Sequence, residues 1–286
     1  MKQIKIFIEL TRLSKRIGFM LLFWPCAWGL TIGYYFNSET TLYFKYIILF
    51  FLGSVLMRSA GCIFNDIVDR NLDKKVNRTK NRPIPSKKIS VLKSFIYIII
   101  LCLIALTILL QFNFLTIILG IASMTLAFAY PFMKRITYWP QLFLGLTFNW
   151  GIIMGWTSIT NNISTEPIIL YLAAIFWTLG YDTIYGLQDM VDDEIIGVKS
   201  TSIKFKNNVK VFVGTCYSLC VFLILILGFL MEVNNYIFLL SLLFISSLIY
   251  QVKFFKINKP SSCLYCFKIN NLTGLLIFLF IFSFNI

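Results

Sequence analysis

The amino-acid sequence predicts an all-α integral membrane protein with nine transmembrane helices, on three observations. Apolar stretches of about 20 residues, each long enough to cross a ~30 Å hydrocarbon core, recur along the whole chain. The composition, 58% hydrophobic and 17% aromatic with a mean hydropathy of +0.81, leaves no stretch for a soluble domain. Basic residues crowd into every second loop, which is the positive-inside pattern.

In chain order, residues 1–16 form a basic segment whose first thirteen residues alternate charged and apolar positions, as an interfacial helix does. The apolar run that follows is long and lacks a small-x-small cleavage site, so it reads as an uncleaved first span rather than a signal peptide. The spans are 17–35, 44–64, 91–110, 114–132, 140–159, 167–187, 209–230, 236–254 and 265–284. Only Gln111, Phe112 and Asn113 separate the third span from the fourth. The whole chain, 1–286, reads as one membrane-embedded domain, with loops at 65–90 and 188–208 carrying the site.

The net charge of +14 reports topology rather than a nucleic-acid partner, because it sits before span 1 and after spans 2, 4, 6 and 8. Lys45 is the main exception. This alternation gives a cytoplasmic N-terminus and an external C-terminus, and dropping a span would scramble it. The seven cysteines fall mostly in or beside apolar spans, and the chain has no histidine. The CxxC at Cys263 and Cys266 therefore reads as small apolar packing rather than a metal or redox site.

Eight of the twelve acidic residues fall in two short runs: Asp66, Asp69 and Asp73 end span 2, and Asp182, Asp189, Asp192, Asp193 and Glu194 end span 6. Four spans separate the runs, so both emerge on the same face. A weak parallel repeat, spans 1–4 echoed by 5–8 with the ninth appended, follows, and it favours a single cytoplasm-facing pocket over alternating access. At 100° per residue Asn65, Asp66, Asp69 and Asp73 cover about a quarter of a helix circumference. Asp182, Asp189 and Asp193 make a narrower stripe. Asp66, Asp192 and Glu194 taken singly read as supporting or solvated groups. Crowded carboxylates repel one another unless a cation sits between them. An all-oxygen site is the preference of Mg²⁺, which completes its shell with water and substrate phosphate, so a diphosphate is the natural partner.

Arg78 and Arg82, in a loop stiffened by Pro83 and Pro85, suit charge-assisted hydrogen bonds to phosphate oxygens. Lys134, Arg135 and Lys199 emerge on the same face. Arg58 lies inside span 2, seven residues before Asn65 and on its side of the helix. A charge there is costly, so Arg58 either faces the pocket or pairs with a carboxylate.

The stretch from Met57-Arg58 through Asn65-Asp66 to Asp73, with Arg78-Thr79 and Arg82-Pro83-Ile84-Pro85-Ser86, resembles the first signature of the UbiA prenyltransferase family. Tyr181-Asp182-Thr183-Ile184-Tyr185, then Asp189, Asp193 and Ile196 through Thr201, is similar to its second. Tyr130-Pro131 to Arg135, Pro140-Gln141, and Gly18 through Trp24-Pro25 and Trp28 extend the likeness over the whole chain, which is closest to the 4-hydroxybenzoate branch. Arg16 departs from it, standing where proline is usual, and Gly186-Leu187-Gln188 differ modestly. The resemblance implies nine helices around a central cavity and a Mg²⁺-dependent enzyme that joins a polyprenyl chain to 4-hydroxybenzoate for ubiquinone. It assigns Asn65, Asp69, Asp73, Asp189 and Asp193 to metal and diphosphate binding, and Arg135 to activity.

The expected reaction is transfer from a polyprenyl diphosphate to the ring carbon ortho to the hydroxyl, in a bacterial inner membrane with the site toward the cytoplasm. Asp66 joins the metal set; Arg78, Arg82, Lys134, Arg135 and Lys199 bind diphosphate; Arg58 and Tyr185 face the acceptor; Asp182 is the candidate proton acceptor in a chain without histidine. Two alternatives stand beside this. One is the same fold with a naphthoate, homogentisate or haem acceptor. The other is a divalent-cation transporter, which would need ligands continuing toward the external face, where these spans carry almost none.

Overall fold

Each apolar stretch forms a helix because only a helix satisfies its own backbone in lipid. A computed structural model describes residues 2–285. The chain opens with α1 (Lys2–Thr11), then α2 (Ile17–Phe36), α3 (Thr40–Val68), the single turn α4 (Arg70–Asp73), α5 (Val91–Leu109) and α6 (Phe114–Ile136). It continues through α7 (Pro140–Asn149), α8 (Gly151–Thr160), α9 (Thr165–Gly186), α10 (Met190–Ile195), α11 (Thr201–Lys204), α12 (Val209–Leu230), α13 (Phe238–Phe254) and α14 (Pro260–Phe282). Among the described residues nine segments are long and apolar enough to cross a membrane, with α7 and α8 together making the fifth, as the sequence predicts. The second is longer than expected: α3 has 29 residues, so Asn65 and Asp66 belong to the helix rather than to the loop at 65–90.

The inner helices are α2, the α7–α8 pair and α9, while α5, α6 and α13 keep most of their apolar side chains on the outside for lipid. The closest crossing pairs α2 with α8. Gly29 and Gly33 on one, and Gly151 and Gly155 on the other, carry the four-residue small spacing that lets backbones touch. A Cβ on Gly29 would lie 2.0 Å from the Ile152 carbonyl oxygen, and one on Gly155 2.4 Å from that of Cys26. The fifth span breaks at Trp150 within this contact. Just before the break the Asn149 amide donates to the Gly145 carbonyl at 2.8 Å and to Thr178 Oγ1 at 2.8 Å.

Two aromatic links tie the last helix to the first span. Trp24 Nε1 donates to Asn271 Oδ1 at 3.1 Å, and Trp28 Nε1 to the Gly274 carbonyl at 3.1 Å. A second, smaller core holds α1 in place: Leu10 is fully buried among Ala60, Ile63, Ile84, Ile98 and Leu101, with Phe7 beside it. The N-terminal segment is therefore docked on α3, and Arg12 ends it at φ 56°, a left-handed conformation uncommon for a non-glycine residue.

Candidate functional site

Both acidic runs are built the same way. α3 stops directly before Asp69, and α9 stops at Gly186, with Leu187 and Gln188 turning into Asp189; both aspartates lie in the sparsely populated bridge region, Asp69 at φ −93°, ψ 2° and Asp189 at φ −112°, ψ 4°. A short helix follows, and the next aspartate returns one turn later: the Asp73 amide donates to the Asp69 carbonyl and the Asp193 amide to the Asp189 carbonyl, each at 2.8 Å. This correspondence is the clearest trace of the parallel repeat. It brings Asn65, Asp66, Asp69 and Asp73 of one bank, and Asp182, Asp189 and Asp193 of the other, onto one cavity of about 1520 Å³.

The first loop ties the banks together. The Arg78 guanidinium is paired with Asp189, its Nε lying 2.8 Å and 2.9 Å from the two carboxylate oxygens, and its Nη1 donates to Tyr185 Oη at 3.1 Å. The Asn77 amide donates to Asp192 at 3.0 Å. Asp192 lies off the cavity, so it anchors this loop. Glu194 is half exposed and pairs with Lys206.

On the first bank, Arg82 bridges Asp66 at 3.1 Å and Asp73 at 2.9 Å, and Arg12 reaches Asp66 at 2.5 Å. Asp66 is thus the buried centre of an Arg12–Asp66–Arg82–Asp73 chain. Arg12 stands 54 residues from Asp66, and no local spacing could have placed it there. Lys134 pairs with Asp69. Arg135 does not line the cavity: its Nη2 donates to the Val68 carbonyl at 2.7 Å and sits 3.5 Å from Asp69 Oδ1, on the outer side. Lys199 is also off the cavity, donating to the Ile136 carbonyl at 3.0 Å and lying over Tyr138.

Asp69 carries no side-chain exposure, and burial pushes its carboxyl above the ordinary value despite Lys134. Its Oδ1 is buried and accepts no hydrogen bond, an arrangement a cation would satisfy. Asp193 is pushed up to about 6, by burial first and then by Asp189 one turn away. Among the described residues no three acidic, cysteine or histidine side chains converge closely enough to enclose an ion. Each bank is therefore a half-site of hard oxygens that fits Mg²⁺ once substrate oxygens complete the shell.

Deeper in the cavity, Arg58 settles the choice left open by the sequence. It pairs with no carboxylate among the described residues; its Nε is buried without a partner and its guanidinium lies 5.4 Å from the Phe148 ring centroid. Gly18 makes room, since a Cβ there would come within 3.0 Å of that Nε. Asp182 lines the same cavity, also without a hydrogen-bond or ion-pair partner among the described residues. Tyr185 packs on Phe267 at 4.4 Å. Tyr130, which the family likeness included without a role, lines the cavity as well, and so does Lys268, which the motifs did not single out; a lysine within the ninth apolar stretch is the signal that marks it.

Residues 22–272 match the UbiA prenyltransferase family. The 4-hydroxybenzoate octaprenyltransferase of Psychromonas ingrahamii is 39% identical over 273 residues, 95% of this chain and 93% of that one. The mitochondrial 4-hydroxybenzoate polyprenyltransferase of Arabidopsis thaliana is 44% identical over 212 residues, 74% of this chain, which spans about half (52%) of that longer protein. Among solved structures, the fold is similar to a UbiA homolog from Aeropyrum pernix K1, with TM-score 0.77 at 20% identity over 92% of this chain and 96% of that one. It is also similar to a UbiA homolog from Archaeoglobus fulgidus bound to GPP and Mg²⁺, with TM-score 0.74 at 18% identity over 98% and 99%.

Proposed function

The chain belongs to the UbiA prenyltransferase family, and from that premise we propose that it transfers a polyprenyl group from its diphosphate to the ring carbon ortho to the hydroxyl of 4-hydroxybenzoate, releasing diphosphate, in ubiquinone biosynthesis. The observation that carries the reading is the pairing of two carboxylate half-sites with an unpartnered cavity arginine, Arg58. One end of the cavity suits a metal-bound diphosphate and the other a small carboxylate.

Asn65, Asp69 and Asp73 from one bank and Asp189 and Asp193 from the other would hold Mg²⁺, with Asp66 supporting them by fixing Arg12 and Arg82. Bound Mg²⁺ supplies Lewis-acid neutralisation of the departing diphosphate. Arg78, Arg82 and Lys134 line the same wall and share that neutralisation with charge-assisted contacts. Arg135 and Lys199, placed outside the cavity, act by positioning Asp69 and the loop after α10. The donor's C–O bond breaks, and its electron pair leaves with the diphosphate. Apolar walls from α5 and α6 exclude water from the allylic cation.

Arg58 takes the acceptor's carboxylate and Tyr185 lies against its ring, which turns the ortho carbon toward the cation. The new C–C bond forms, and Asp182 takes the ring proton as aromaticity returns. The crowding of basic residues in the loops that carry the site supports a cytoplasmic-facing site in a bacterial inner membrane. A transporter reading finds no support, because the carboxylates gather at one end of the spans.

The test is purified protein with labelled 4-hydroxybenzoate, octaprenyl diphosphate and Mg²⁺. The expected result is a prenylated, extractable product that chelation abolishes and added Mg²⁺ restores. Absence of product with every prenyl length offered would sink the assignment, and product with a naphthoate instead would move it to another acceptor.

A further inference from the structure

Lys268 lies eight residues past the start of α14, a helix rise of about 12 Å. It is exposed to the cavity it lines, and among the described residues it makes no ion pair or side-chain hydrogen bond. Arg12, Arg78, Arg82, Lys134 and Arg135 each face a carboxylate. Of the cavity cations that make no ion pair among the described residues, Lys15 and Arg16 stand just before α2, Arg58 lies on α3, and Lys268 alone is on α14. An ionisable side chain inside a span is costly, and one without a partner is built for a ligand of opposite charge.

Its surroundings define that ligand. α2 and α14 are clamped at Trp24–Asn271 and Trp28–Gly274. In the turns before the clamp, Phe19 and Leu22 of α2 and Leu264 and Lys268 of α14 line the cavity. One ammonium beside an apolar wall suits an anion that carries an apolar tail. An aromatic acid has no tail to lay along these side chains, and Arg58 already serves its carboxylate.

We propose that Lys268 is a docking residue for the diphosphate head of the prenyl donor, engaging it between α2 and α14 before it reaches the carboxylates. This deepens the reading above and rests on its donor class. No bond is made or broken at this position, so Lys268 acts on donor capture rather than on the chemical step.

Wild type, Lys268→Met and Lys268→Arg are compared in phosphatidylcholine vesicles with octaprenyl diphosphate and 4-hydroxybenzoate. The expected result is a donor KM raised about tenfold in Lys268→Met, with kcat and the acceptor KM held within about twofold, and recovery in Lys268→Arg. An unchanged donor KM overturns the proposal. So does a rise confined to the acceptor KM, or a fall in kcat that tracks a lowered unfolding midpoint. Retention of labelled octaprenyl diphosphate by the purified proteins is measured in parallel, with weaker retention by Lys268→Met expected and equal retention overturning the proposal. Wild type that retains the donor but forms no product would fail the acceptor assignment while leaving this one standing.

Discussion

Replacing Arg82 separates its two duties, holding buried carboxylates and binding the donor. Arg82 bridges Asp66 and Asp73, whose side chains are 2% and 10% exposed, and is itself 19% exposed. Removing one partner of a buried pair costs about 3–5 kcal/mol. Asp66 keeps Arg12, which leaves Asp73 as the main orphan, so Arg82→Met should lose about 2–3 kcal/mol, below that range. Arg82→Met/Asp73→Asn deletes the orphaned charge and should regain roughly half of the loss. Turnover should fall at least about 100-fold in Arg82→Met, because the phosphate contact is missing, and stay down in the double variant, which lacks the Asp73 carboxylate as well. Unfolding in mixed detergent–SDS micelles reads the first quantity, and product formation at saturating substrate reads the second. A double variant no more stable than Arg82→Met would refute the ion-pair reasoning, and near-normal turnover in either would remove Arg82 from the donor site.

Three further outcomes follow from the same geometry. Asp69→Ala and Asp189→Ala should abolish turnover while inserting and purifying normally; residual activity near wild type in either would refute the half-site reading. Arg58→Met should raise the acceptor KM more than about tenfold and leave the donor KM unchanged; wild type should discriminate against phenol, which lacks the carboxylate, and the variant should lose that preference. Gly155→Leu drives a side chain into the Cys26 and Leu30 backbone, so it should destabilise the protein by about 3 kcal/mol or more; an unchanged SDS midpoint would mean that α2 and α8 do not meet as closely as described.

The nine spans were legible because lipid leaves a segment few choices, but their ends were less so: α14 starts at Pro260, five residues before the expected 265, and α6 runs on through Lys134 and Arg135 to Ile136. An end shifted at α3 too, where helix continues through Asn65 and Asp66 although both are polar. Helical phase correctly put Asn65, Asp69 and Asp73 on one face, since the turn at Asp69 keeps its amide bonded to the Asn65 carbonyl at 2.9 Å. Arg12 was illegible, because its role depends on Leu10 and Phe7 docking α1 against α3, a contact set by tertiary packing. Lys199 and Arg135 show the converse: emerging on the right face does not decide which side of the wall a long side chain takes. The break at Trp150 was hidden too, since the stretch 140–159 reads as one apolar span and the Asn149 bond to Thr178 reaches across to α9.

The links from Trp24 and Trp28 to α14 join positions 247 and 246 residues apart. During synthesis at roughly 5–20 residues per second, the first span would wait some 10–50 seconds for the helix that completes its bonds. Until then two indole N–H groups face lipid without these partners. The wall that carries Lys268 is therefore made long after the first span, and the earlier spans must keep a place for it in the bilayer.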